Sequence, residues 1–114
     1  MTPDAPRLVF TAGACPLGAD GRVVAVGDLV GQAEVVMANL RTALEAAGAA
    51  LTDVVTTTVH VASSRREDLV AVWVVRRELG AHDAPSTLVG VTVLGYPDQL
   101  VEVEAVAALA RAAP

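Results

Sequence analysis

Ser86-Thr87-Leu88-Val89-Gly90-Val91-Thr92-Val93-Leu94 and, after Gly95-Tyr96-Pro97-Asp98, Gln99-Leu100-Val101-Glu102-Val103-Glu104-Ala105-Val106-Ala107-Ala108-Leu109 decide the fold. Both runs read as strands, and the Gly-Tyr-Pro-Asp stretch between them breaks the chain. Thr87, Val89, Val91 and Val93 alternate with Leu88, Gly90 and Leu94, so apolar groups leave both sides of the strand. A strand with one face in water has no need of that pattern. One face is expected to meet helices and the other a second layer, such as another subunit.

Working backwards, Ser64-Arg65-Arg66-Glu67 has capping-box spacing and opens a helical stripe of Leu69, Val72, Trp73, Arg76 and Leu79 that stops at Gly80. Arg76 is expected to lay its stem along the apolar surface and extend its charge outward. Val54 to Val61, all Val and Thr but for His60, reads as a central strand. Val30, Ala33, Met37, Leu40, Leu44 and Ala47 recur at threes and fours, with Asp28 to cap the helix start and Gly48 to end it. Leu8 to Ala12 and Arg22 to Val26, joined through Gly18-Ala19-Asp20-Gly21, read as a hairpin. The order is ββαβαββ, an α+β fold of one sheet packed by two helices. No repeat or linker argues for more than a single domain over 1–114, with a core of about 8–108.

Composition narrows the function. Of 114 residues, 54% are hydrophobic and 18% charged, against about 45–50% and about 25% in ordinary globular chains. A domain this small buries only about two-thirds of the surface its unfolded chain exposes, so the apolar excess points to subunit interfaces. The net charge of -5 repels phosphate backbones, and one Phe, one Tyr and one Trp give no stacking platform, which disfavours nucleic acid as a partner. All basic residues are Arg, so a lysine Schiff base is excluded. There is no apolar span long enough for a membrane and no basic-then-apolar leader, so a cytoplasmic protein without a membrane partner is expected.

Glu102 and Glu104 leave one face of the last strand about 6.5–7 Å apart, a spacing at which two carboxylates can share acid and base work. They are set among Leu100, Val101, Val103, Ala105 and Val106, and an ionised group in apolar surroundings needs a partner or a shifted pKa. At least one is expected to border a pocket or interface. His60 and His82 have no third ligand at metal spacing, so no metal is expected. Ser63, Ser64 and Ser86 lack a nucleophile elbow, and the glycines form no phosphate cradle. Cys15, the one cysteine, reads as a small buried hydrophobe rather than a reactive thiol.

Taken together, Leu8-Val9-Phe10-Thr11-Ala12-Gly13 with Pro16-Leu17, Gln32 with Asn39-Leu40, Leu44-Glu45-Ala46-Ala47-Gly48-Ala49, Asp53-Val54-Val55, Val59-His60-Val61, Ser86 to Val91, and Val101 to Ala107 resemble the Rid/YjgF family. Its members are the reactive-intermediate deaminases, also labelled L-PSP endoribonucleases. The resemblance implies a chorismate-mutase-like fold whose three copies close a central barrel. It implies clefts between the subunits of this homotrimer, where a small-molecule ligand binds. Active members there hydrolyse amino-acid-derived imines and enamines without a cofactor. An arginine clamps the substrate carboxylate, and a glutamate positions or activates water.

Carried over residue by residue, the glutamate is Glu102, through a one-residue insertion between Gly95 and Gln99. The arginine falls on Ser86, or on Pro85 with a shift of one, neither of them a cation, and the serine before the first-strand glycine is Ala12. The resemblance therefore implies an arginine-lacking branch: either a hydrolase with Glu102 as its catalytic residue, or a non-catalytic trimer that binds a small ligand or a protein in the same cleft. Ser86, Thr87, Gly90, Ala12 and Gly13 would bind the substrate. A lost bidentate guanidinium contact is worth about 1.5–3 kcal/mol, so any substrate is expected to differ from the amino-acid-derived imines of the active branch and need not carry a carboxylate.

Overall fold

In the computed structural model, which describes residues 7–80 and 83–109, the last strand is the organising element. Strand β1 (Arg7–Phe10), helix α1 (Leu29–Ala46), strand β2 (Val54–Val61), helix α2 (Arg66–Leu79), strand β3 (Ser86–Gly90) and strand β4 (Val101–Leu109) follow in chain order. The sheet order is β1-β4-β2-β3. β4 runs antiparallel to both neighbours, while β2 and β3 are parallel across α2. This is the expected α+β arrangement of one sheet and two helices.

The alternation along β4 sets the two layers. Val101, Val103, Ala105 and Ala107 are 0%, 1%, 3% and 0% exposed, whereas Glu102 is half-buried and Glu104 exposed. The first set faces the helices and joins Val59 and Val61 of β2 with Val36, Leu40 and Leu44 of α1 in one core. Truncating a residue buried as fully as Leu40 to alanine costs about 2–5 kcal/mol. Asp28 caps α1 by accepting from Gly31 N at 2.9 Å. At the other end Gly48, at φ 81°, lets Ala49 N reach back to Leu44 O at 2.8 Å. Only a residue free to enter the left-handed region closes a helix in this way.

Three local expectations are corrected. Arg22 to Val26 forms no strand: a single bridge, Leu17 to Val23, remains. Ala25 at φ 51° and Gly27 at φ 77° turn the chain out of the extended region, so β1 pairs with β4 instead of a hairpin partner and the observed order is βαβαββ. β3 stops at Gly90 rather than Leu94, because its partner β2 ends at Val61, opposite Gly90. The capping box before α2 does not form. Arg65 stands at the helix N-cap without a side-chain bond, and Ser63 Oγ instead accepts from Arg65 N at 3.0 Å and donates to Asp68 at 2.7 Å.

The face away from the helices is uncovered. It is apolar toward β1, where Leu8 and Phe10 are 58% and 72% exposed, and polar in the middle, where Thr58, His60 and Glu104 meet. No helix among the described residues is long and apolar enough to cross a membrane.

Candidate functional site

Glu102 is brought to a defined place by an irregularity in the pairing of the first strand with β4. Thr11 N bonds Ala105 O at 3.0 Å and Ala14 N bonds Val103 O at 2.7 Å, so three steps on one strand face two on the other. The extra residue bulges the chain at Ala12-Gly13. Thr11 compensates by accepting from Ala105 N through its side-chain oxygen at 2.9 Å.

The Glu102 side chain lies over the bulge. A Cβ on Gly13 would stand 2.5 Å from Glu102 Oε2 and 2.6 Å from its carboxyl carbon, closer than any real Cβ contact. Two donors converge on the other oxygen. Cys15 Sγ and Gln99 Nε2 each lie 3.2 Å from Oε1.

Helix α1 holds both of the segments that carry these donors. Gln32 and Asn39, seven residues apart, lie two turns apart on one face. Gln32 is fully buried; it accepts from Leu100 N at 2.8 Å and donates to Asp98 O at 2.9 Å, which fixes the loop carrying Gln99. Asn39 donates to Cys15 O at 2.9 Å and Leu17 O at 3.0 Å, which fixes the segment carrying Cys15. The buried amide of Gln32 is thereby paired at both its nitrogen and its oxygen, as burial requires.

The Cys15 thiol is pushed up to about 11, first by burial and then by the hydrogen bond and negative charge of Glu102, with Gln99 acting weakly the other way. It stays protonated at neutral pH and is therefore a donor. Neither sequence reading of Cys15, as inert filler or as reactive thiol, describes that role.

Gly13 and Cys15, the two residues Glu102 touches from across the bulge, also line a cavity of about 450 Å³. Its other walls include Phe10, Ala12, Leu17, Ala43 and Tyr96, and no lining residue is charged. His60 meets Glu104, not Glu102, at 3.3 Å on the open face.

The remaining expected site residues are elsewhere in the chain. β3 is two strands from β4, about 10 Å at the usual strand spacing. Thr87 pairs with Thr58 and faces the open side. Gly90 serves a close approach, since a Cβ there would meet Ser63 O at 2.6 Å. Ser86 pairs with buried Thr57 on the helix side of the sheet, away from Glu102.

Arg76 also departs from expectation. Its guanidinium points inward and the residue is 1% exposed; it donates to Ser86 Oγ at 2.7 Å, Ala84 O at 3.1 Å and Thr57 Oγ1 at 3.4 Å. The Trp73 ring lies 5.0 Å from the guanidinium carbon. Burial lowers the Arg76 pKa from its ordinary value. The expectation of an outward charge failed because its acceptors come from β2, β3 and the segment before β3, which helical spacing does not reveal. His82 lies outside the described residues. Among the described residues no group of three or more His, Cys, Asp or Glu is placed to hold a metal ion.

The sequence profile of the family Endoribonuclease L-PSP matches residues 3–109. The chain belongs to the Rid/YjgF family. YyfB from Yersinia pestis, a protein of unknown function in the conserved Rid family, is 34% identical with a TM-score of 0.81, over 90% of this chain and 79% of that one. The YjgF gene product of E. coli is 30% identical with a TM-score of 0.74, over 88% and 79%. E. coli TdcF, whose crystal structure holds bound serine, is 28% identical with a TM-score of 0.74 over the same shares. In this Rid/YjgF chain the sheet and two helices thus follow the architecture of its relatives.

Proposed function

We propose that this Rid/YjgF chain is a homotrimeric, cofactor-free hydrolase of small imines, enamines or related carbonyl compounds, with its ligand cleft between subunits and Glu102 as general base. The observation that carries the reading is the Glu102 carboxylate. One of its oxygens is tied by two donors, and its neighbours Gly13 and Cys15 belong to the wall of the 450 Å³ cavity. A carboxylate fixed in this way can take a proton from water at one oxygen without having to reorganise.

The chemistry is a hydrolysis. Water bonds to the imine carbon as it yields a proton to Glu102, and the C=N π pair moves to nitrogen, which takes up that proton. The resulting carbinolamine releases ammonia as its hydroxyl proton passes to nitrogen, leaving a carbonyl product. The uncharged cavity lining, and Ser86 at the position implied for the family arginine, support substrates that lack a carboxylate. The exposed Leu8 and Phe10 on the uncovered sheet face support a trimer.

A second reading is a non-catalytic trimer that binds a small ligand, favoured by the same loss of the arginine and by the serine bound in TdcF. Ammonia release from freshly generated imines, with and without a carboxylate, separates the two. Turnover that is lost in Glu102→Ala supports the hydrolase, and ligand binding without turnover supports the binder.

A further inference from the structure

We infer that Cys15 and Gln99 are positioning residues that tie down Oε1 of Glu102 as a pair, leaving Oε2, above the bare backbone of Gly13, as the working oxygen. The inference rests on the proposed reading of Glu102 as the functional carboxylate, and it names which of its two oxygens works and what holds the other.

The Gln99 amide is fixed by its other bonds and the Cys15 backbone by Asn39, while Cys15 Sγ stands nearer to Glu102 Oε1, at 3.2 Å, than to its second acceptor, Gly13 O, at 3.5 Å. Gln99 is 4% exposed, and its Oε1 accepts from Tyr96 N at 3.1 Å while its Nε2 donates to Val101 O at 3.1 Å and to Glu102. Reversing the amide would set its oxygen against two acceptors, Val101 O and the carboxylate, so the donor end must face Glu102. Cys15 is held through its backbone by Asn39. Its thiol, raised to about 11, keeps its proton through the physiological range. The Glu102 carboxylate therefore accepts at Oε1 from both sides. Oε2 fills space that any side chain at position 13 would occupy.

These contacts give a test with opposite signs. Glu102 raises the Cys15 pKa and Gln99 lowers it. Iodoacetamide alkylates only the thiolate, so below the thiol pKa its rate follows that pKa. At pH 8.5 the variant Glu102→Gln is expected to be alkylated several-fold faster than the parent chain, because losing the negative charge lowers the thiol pKa and raises the thiolate fraction. The near-isosteric Gln99→Met, which keeps volume and loses both donors, is expected to be alkylated more slowly than the parent. Loosened packing alone would accelerate both. Any result in which Glu102→Gln fails to accelerate, or Gln99→Met fails to slow, overturns the inference; melting temperatures confirm that each variant is folded.

The alkylation readout uses no substrate, so a chain without hydrolase activity would refute the proposed function and leave the tether standing. With activity in hand, Cys15→Ala is expected to lower kcat with KM little changed, and Cys15→Ser, which restores an O–H donor, to recover part of the loss. Equal activity in the Ala and Ser variants would overturn the role of Cys15 as donor.

Discussion

Glu102 and Gly13 share one space: the carboxylate of the first occupies the volume where the second would carry a Cβ, with Oε2 only 2.5 Å from that position. Gly13 also sits in the bulge that lets β1 leave its register with β4. The backbone irregularity and the orientation of the carboxylate are therefore one feature.

Gly13→Ala is accordingly expected to push the Glu102 side chain off Cys15 and Gln99. Activity should fall toward that of Glu102→Ala. Stability should fall by only about 1–3 kcal/mol, the usual cost of overpacking. Thermal melting beside ammonia release checks both halves. A fully active Gly13→Ala chain would show that the contact is incidental.

Alkaline stability follows from Cys15. Its folded pKa, about 11, is above its ordinary value of 9.0, so the folded chain holds the thiol proton more tightly than the unfolded chain. The contribution is present in full below pH 9.0 and is lost as pH rises through about 11. Melting temperature from pH 8 to 11 is expected to fall more steeply for the parent chain than for Cys15→Ser, which has no thiol to ionise. Parallel curves would contradict the shift.

Association should depend on the uncovered face. Phe10 is 72% exposed and Leu8, on the same sheet face, 58%, an apolar pair of the kind that a subunit contact covers. Light scattering on the eluting protein should give about three times the 11.6 kDa chain mass. Phe10→Glu should shift it toward the single-chain mass. A monomeric parent chain would remove the cleft from the account.

The elements with strong periodicity were legible in the sequence. β2 lies where its Val and Thr run puts it, β4 where Val and Ala alternate with Glu, and α1 and α2 where three-and-four spacings put them. Arg22 to Val26 was misread because Ala25 adopts positive φ without the glycine or asparagine that usually marks such a turn. Arg76 was correctly placed on the buried stripe of α2 but given the wrong direction, since Ser86, Thr57 and Ala84 reach it only through the tertiary fold.

At the site, Glu102 stood out as a carboxylate among apolar neighbours, but its partners did not. Cys15 lies 87 positions away in the chain and meets it only once the first strand bulges against β4. One signal was available: Gln32 and Asn39 are amides spaced by two helical turns on a face otherwise built of Ala, Val, Met and Leu. Polar groups in such a stripe have to find acceptors outside the helix, and theirs are the two segments that hold the donors to Glu102.

The central claim, hydrolysis with Glu102 as base, is tested most directly by the rate of ammonia release from a panel of freshly generated imines and enamines, comparing the parent chain with Glu102→Ala. The account predicts turnover of at least one uncharged member by the parent, and a rate about 10²–10⁴-fold lower in the variant, the usual contribution of a positioned base. Equal rates in the two proteins, or no turnover of any member by the parent, would contradict it.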